Sequence, residues 1–414
     1  MGEQSFVSRK YTDKAVRSRR RVALDIDVIL LLTVATLLVF GLIMVYSASW
    51  DFSYILYNNA SRIILRQMLF VAVGVGIACG LTFLDYRWYK KLAVPIMVFT
   101  IVALLAVLIF GETRLNATRT LSSGSIQPSE LAKLATVIYL AVWLNNKRDQ
   151  LDTWGFGLLP LAVILGLVGA LIFLQPDLSA TMTVILLGGI LFFLAGGDMR
   201  RIILLVVFTV VIGWLFVMVS PTGQSRVTSY FAGLEDPTKA SYHVQRSLEA
   251  FVKGGFVGVG IGKADTKLTG LPVPPTDSIF AVVGEETGII GAAMVIGLFV
   301  LLLWRSMVIA RKAPDRFGSL LAAGLGLWMV MEAMINMSVI VGLLPFAGNA
   351  LPLISAGGSS MLVSLAAIGI LMNISRSGTQ EQIRKDSIFN AFSNLRRRDR
   401  RRSVSRPGRT SSVD

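Results

Sequence analysis

The chain has 414 residues, 54% of them hydrophobic and only 16% charged, with a net charge of +15. A soluble domain carries about 25% charged residues, whereas here apolar runs of about 18 residues or more, each able to span a bilayer as a helix, recur along the whole length. The composition therefore excludes an ordinary soluble domain, and the lack of alternating polarity in segments of about 10 residues excludes a membrane β-barrel.

The chain opens with a basic segment, residues 1–26, holding Arg9, Lys10, Lys14, Arg17, Arg19, Arg20 and Arg21. The apolar run behind it is too long for the core of a cleavable signal and reads as the first spanning helix. About ten apolar spans are predicted, near 27–48, 67–85, 91–111, 127–146, 156–175, 179–197, 200–220, 278–304, 318–343 and 358–375. They make residues 27–376 a single all-α polytopic membrane domain. The short loops "YRWYKK", "NNKRDQ", "GGDMRR" and "IARKAPDRF" are basic and alternate onto one side. That positive-inside pattern marks the cytoplasm, and an even number of spans puts both termini there. It also accounts for the net charge without nucleic acid. The opposite loops include one large extracytoplasmic segment, 221–277, between the seventh and eighth spans. From residue 377 to 414 the chain is polar and rich in Arg and Ser, and is expected to be a disordered cytoplasmic tail. It serves as a solvated topology anchor or as a contact for anionic headgroups or a cytoplasmic partner.

Cys79 is the only cysteine and His243 the only histidine. An intrachain disulfide is therefore impossible, and neither a multi-histidine zinc site nor a Ser-His-Asp triad is expected. Charged groups within or at the edge of membrane spans are costly and so become the functional candidates. Toward the extracytoplasmic side these are Arg66, Arg114, Arg119, Glu130, Lys133, Asp177, Asp277, Glu285 and Glu286.

Arg66 stands at the start of the second span, and Arg114 and Arg119 in the loop before the fourth. In "SIQPSELAKLATVIYL" Glu130 and Lys133 are three apart, share a helix face and can pair. Either they form a structural ion pair, or Lys133 presents its charge to a phosphate together with the two loop arginines. In "LQPDLSAT" Asp177 reads first as the cap of the next helix in a tight hairpin. In "LPVPPTDSIFAVVGEETG" Thr276 or Asp277 reads as a helix cap, and Asp277 also as a lone chemical carboxylate. Glu285 falls about 80° round the helix from Asp277 and two turns deeper, and Glu286 about 180° away. The acids thus cannot form a close catalytic pair, which leaves Glu285 and Glu286 as supporting or interhelical contacts. In "GNALPLISAGGSSM" the groups of Ser355, Gly357, Gly358 and Ser359 build either an anion site at a helix N-terminus or a plain re-entrant turn.

These segments, taken in order, resemble the SEDS family (shape, elongation, division and sporulation), which includes FtsW, RodA and SpoVE. The resemblance runs from about residue 25 to 376 and is carried by "GLIMVYSAS", "RQMLF", "IQPSELAKLA", "QPDLSAT", "SYHVQRSLEAFVKGGFVGVGIGKADTKLTGLPVPPTDSIFAVVGEETGIIGA", "GLLPFAGNALPLISAGGSSM" and "NISR". It implies a peptidoglycan glycosyltransferase in the cytoplasmic membrane of a bacterium. Such an enzyme polymerises lipid II at the outer face beside a class B penicillin-binding protein, among other division proteins. The family's essential aspartate falls on Asp277, its intramembrane Glu and Lys on Glu130 and Lys133, and its loop arginine on Arg119. The family's Arg-Trp is here Arg119-Thr120, and its His-Thr-Asp is here Pro275-Thr276-Asp277. The segment "GKADTKLTGLP" is closer to the division member than to the elongation member. The implied chemistry is an inverting displacement of undecaprenyl diphosphate. Asp277 is the base, and Arg119 and Lys133, alone or with a divalent cation (Mg or Mn), stabilise the leaving group. The competing readings are a lipid II flippase, an elongation-type polymerase and a non-catalytic division scaffold.

Overall fold

The computed structural model describes residues 26–114, 117–120, 127–151, 153, 157–219 and 221–403. The basic start of the chain, residues 1–25, lies outside them. Among the described residues twelve α-helices follow one another: α1 (Val28–Tyr57), α2 (Arg62–Phe83), α3 (Trp88–Phe110), α4 (Pro128–Asn146), α5 (Leu159–Phe173) and α6 (Leu178–Leu194), then α7 (Met199–Val219), α8 (Pro221–Glu235), α9 (Tyr242–Gly254), α10 (Ile279–Lys312), α11 (Arg316–Ile340) and α12 (Gly358–Ser403). Each predicted span falls on one of them. By length and composition, α1, α2, α3, α10, α11 and the part of α12 up to Gln382 can cross a membrane, and α5 and α6 are shorter apolar helices. The large segment between α7 and α10 is built around α8 and α9.

Local chemistry fixes several helix ends. Asp27 accepts from the Leu30 amide at 3.0 Å and so caps α1, satisfying one of its orphan donors. Pro128 opens α4 at a position where its missing N–H costs nothing. Asp315 accepts from the Gly318 amide at 2.8 Å and caps α11. It also bonds Lys90 Nζ, 3.0 Å, and the Tyr86 hydroxyl, 3.0 Å, which ties the α2–α3 loop to α11.

The structure departs from the sequence reading at three places. First, α1 runs past the predicted end near residue 48 to Tyr57, where Asn58 in the left-handed region (φ 51) stops it, as such a C-cap does. Second, the loop before α4 holds an antiparallel ribbon, β1 (Glu112–Arg114) with β2 (Ala117–Thr120). Its Thr-rich sequence suits extended pairing. Third, α12 continues as helix to Ser403, through residues 377–403 of the expected disordered tail. This stretch has no proline, and its Gln, Glu, Lys and Arg are good helix formers.

The core is centred on α11, whose apolar window is 72% buried against 17% for α2. It packs against α4, α6, α9, α10 and α12. Trp328 on α11, Phe280 and Phe299 on α10, Phe192 on α6 and Leu140 on α4 are among the largest fully buried side chains.

Helix α10 is broken at Gly288, with φ 69 and ψ −171. That conformation is essentially reserved for glycine. The break releases backbone groups that a membrane interior would leave unpaired. The segment after α9 takes them up: Val259 and Gly260 amides donate to Glu285 O and Glu286 O, both at 3.0 Å. The Ile289 and Ile290 amides donate to Gly255 O and Phe256 O, at 3.0 and 3.2 Å. Gly288→Ala should therefore lower the midpoint of thermal unfolding in detergent, with a cost on the order of 1–3 kcal/mol from the forbidden dihedrals alone. An unchanged midpoint would show that the break is not needed.

Candidate functional site

The up-and-down order of the helices gathers the candidate residues at one end of the bundle. The start of α2, β2, the starts of α4, α6, α10 and α12, and the end of α11 all meet there. Asp277 stands two residues before α10. The cap position of that helix is Ser278, which makes no side-chain capping bond. Its hydroxyl instead donates to Pro272 O at 2.7 Å. The capping reading of Thr276 or Asp277 is thus corrected: the cap position falls one residue beyond Asp277, at Ser278.

The approach to Asp277 is held by a strap, the segment 342–357 between α11 and α12. Ala356 N donates to Pro275 O at 2.8 Å, and Ser355 Oγ donates to Thr276 O at 2.8 Å. On α11, Asn336 Nδ2 donates both to Asp277 O, 3.0 Å, and to Asn349 O, 2.6 Å. Asn349 Nδ2 in turn donates to Glu332 O at 3.1 Å. The carboxylate lies against Gly348, where a β-carbon would come to 2.7 Å of Asp277 Oδ2. Val273 at φ 42 and Leu353 at φ 64 place non-glycine residues in the left-handed region on both sides of this junction. Such strain is held only where surrounding bonds over-determine it.

The strap also defines the remaining predicted groups. Ser355 Oγ, besides donating to Thr276 O, accepts from Leu351 N at 2.7 Å. Gly357 N donates to Gln67 Oε1 at 3.2 Å, and Gln67 Nε2 donates to Ser355 O at 3.1 Å. Ser359 Oγ accepts from Gln127 N at 3.3 Å, and Gly358 is the first residue of α12. These groups clamp α2 and the start of α4 to the strap, so the re-entrant-turn reading describes them better than an open anion cradle. Arg66 is exposed beside Gln67 with its guanidinium 5.7 Å from the Phe70 ring centre. Asp177 caps α6 through Ala180 N, 3.3 Å, and also accepts from Gln127 Nε2, 3.1 Å, and Ser129 Oγ, 3.2 Å. The plain reading of that residue holds, with α4 tied in as well. Arg119 and Arg114 lie on β2 and β1, and their side chains are outside the described residues.

Lys133 is buried at 2% exposure. Its ammonium lies 2.9 Å from Glu130 Oε1, also pairs with Glu332, and sits 5.9 Å from the Trp328 ring centre. The expected Glu130–Lys133 pair is present. The structure adds a second acid from α11 that the sequence reading passed over. A lone Glu332 inside an apolar span was the available signal, by the same cost argument that selected the others. With two carboxylates on one ammonium, Lys133 has no surplus charge to present to a phosphate in this conformation. Glu332 and Asn336 are four apart on one face of α11, so the buried cluster lies one turn below the amide that holds Asp277.

Glu285 and Glu286 are both 1% exposed and face different neighbours, as the helical angle requires. Glu285 accepts from Asp265 N at 2.9 Å and from the amide and hydroxyl of Thr266. Glu286 bonds Ser47 Oγ on α1 and Lys267 Nζ, the latter at 2.8 Å. They organise the segment between α9 and Asp277 and anchor it to the bundle. On the same side, His243 stacks on Phe346 at 4.0 Å between ring centres. Burial and then the nearby Arg226 push its imidazole down to about 4, so it is neutral at neutral pH. Among the described residues no group of three or more His, Cys, Asp or Glu side chains is placed to hold a metal ion.

The fold and site define a polytopic helical membrane protein with a single strapped carboxylate at one end of the bundle and a buried ion cluster a turn beneath it. A family model described as "Cell cycle protein", for FtsW, RodA and SpoVE, matches residues 28–380. The chain belongs to that family. It is 37% identical over 355 residues to the probable peptidoglycan glycosyltransferase FtsW of Trichlorobacter lovleyi, covering 85% of this chain and 93% of that protein. It is 35% identical over 361 residues to stage V sporulation protein E of Bacillus subtilis, covering 84% of this chain and 97% of that protein. Among solved structures, a chain of a peptidoglycan synthase complex that coordinates polymerization and crosslinking matches with a TM-score of 0.69 and 26% identity, over 85% of this chain and 98% of that one. The rod shape determining protein RodA of Thermus thermophilus matches with a TM-score of 0.63 and 26% identity, over 85% and 97%.

Proposed function

We propose that this protein is a peptidoglycan glycosyltransferase of the division type, which polymerises lipid II at the outer face of a bacterial cytoplasmic membrane. The observation that carries the reading is the carboxylate of Asp277, off the cap position and set against Gly348 at the strapped end of the bundle. The relatives named as probable peptidoglycan glycosyltransferase FtsW support the activity and the division role.

In the reaction, Asp277 takes the proton from the C4 hydroxyl of the acceptor sugar. The acceptor oxygen bonds to C1 of the donor, the C1–O bond to undecaprenyl diphosphate breaks, and the electron pair leaves with the diphosphate. The anomeric centre inverts. Diphosphate needs charge stabilisation rather than a separate acid, and Arg119 on the ribbon beside the start of α4 is the cation for it. Lys133 acts from beneath by fixing α4 to α11. The two helices that frame the site are thereby kept in register. A class B penicillin-binding protein supplies the crosslinking; the similar chain found in a synthase complex that couples polymerization to crosslinking supports this.

The test is to supply the purified protein in detergent with lipid II, with and without the cognate penicillin-binding protein, and separate the products by size. Glycan strands longer than the disaccharide are expected. Lipid II left unchanged in both arms would leave a flippase or a scaffold.

A further inference from the structure

We infer that Asn336 is the positioning residue of the Asp277 site, acting through the backbone of Asp277 and not on the substrate. The inference rests on the glycosyltransferase reading, with Asp277 as base. Asn336 is 2% exposed near the end of α11. A side-chain carboxamide has two N–H donors, and here both are spent on main-chain oxygens: Asp277 O at 3.0 Å and Asn349 O at 2.6 Å. Its own Oδ1 is buried with no protein partner.

An apolar side chain of the same shape would leave both of those main-chain oxygens without this donor, at a desolvation cost for each. What the amide adds is a tie to α11 for two loops that otherwise bond each other here, through Ala356 N to Pro275 O and Ser355 Oγ to Thr276 O. One is the approach to α10, which carries Asp277. The other is the strap, in which Asn349 directly follows Gly348, the residue lying against Asp277 Oδ2. Both sides of the carboxylate are therefore referenced to one atom, Nδ2 of Asn336, on α11, the most buried of the six long apolar helices. Asn349 closes the arrangement by donating back to Glu332 O, one turn along the same helix.

Asn336→Asp keeps the shape, removes both donors and turns oxygens toward two carbonyl oxygens. With lipid II and the intact partner complex, it should lower kcat about 10²-fold, the scale of a displacement near 1 Å. KM for lipid II should stay within about twofold, because the substrate does not touch Asn336. Asn336→Gln restores an NH₂ group and should recover a large part of kcat. Thermal unfolding of each variant reports whether the fold survives, and Asp277→Asn is measured alongside. Wild-type kcat in Asn336→Asp, together with an inactive Asp277→Asn, overturns the positioning role and leaves the base assignment standing. A loss in Asn336→Asp that follows the unfolding midpoint, or that Asn336→Gln fails to relieve, overturns it as well. Full activity in Asp277→Asn removes the base assignment itself.

Discussion

Asp277→Asn should abolish glycan polymerisation while the protein folds and assembles normally. Asparagine keeps the size and shape of the side chain, and the two main-chain features that position residue 277 are untouched. These are its carbonyl, bonded to Asn336 Nδ2, and its neighbour Thr276, bonded to Ser355 Oγ. The substitution removes the negative charge and with it the ability to accept a proton. General-base contributions are about 10²–10⁴-fold, and the other buried acids of α10 and α11 among the described residues are engaged elsewhere. Glu285 is spent on Asp265 and Thr266, Glu286 on Ser47 and Lys267, and Glu332 on Lys133. The measurement is polymer length and yield from lipid II with the partner present, beside a melting curve. Normal strands from a folded Asp277→Asn protein would rule out Asp277 as the base.

The second large effect is on folding. Reading Lys133 as a phosphate ligand, one expects Lys133→Ala to weaken use of lipid II and little else. Its surroundings give a different result. Removing the ammonium leaves Glu130 and Glu332 buried against each other without a counter-charge. Breaking a buried pair in this way costs about 3–5 kcal/mol, a large share of the stability of an ordinary protein. Lys133→Ala should therefore be recovered in low yield or with a sharply lowered unfolding midpoint. Combining Lys133→Met with Glu130→Gln and Glu332→Gln takes all three charges away together and should restore most of the midpoint, since replacing a whole buried ion cluster is often close to neutral. Activity of that triple variant then separates the two roles. A folded but inactive triple variant returns Lys133 to the chemistry, and an active one makes it a structural tie between α4 and α11.

Much of this molecule was legible before any coordinates. Each membrane span announced itself as an apolar run, and the alternation of basic loops put Arg119, Glu130, Asp177 and Asp277 at the same end. The family resemblance then singled out Asp277 and Lys133. What stayed hidden depended on partners distant in the chain. Glu332 is one acid in an apolar span, and nothing near it in sequence points to Lys133, 199 residues away. Asn336 is silent for the same reason, since its two acceptors lie 59 and 13 residues away. Helical extrapolation also failed where the backbone changed course. A regular helix from Asp277 gives the right divergence of Glu285 from Glu286, yet it gives no sign of the break two residues later. Gly288 looks like any glycine in an apolar run, and its reason lies in the glycine-rich segment after α9.

That break makes α10 two mechanical pieces instead of one rod. The longer piece, Ile289–Lys312, is tethered at its far end, where Arg305 pairs with Asp27 of α1. The short piece carrying Asp277 is gripped from the side, through Glu285 to Thr266 and through Glu286 to Lys267. Residues 255–267 bond to the chain on both sides of Gly288, so the segment joining α9 to α10 is the splint across the break behind Asp277.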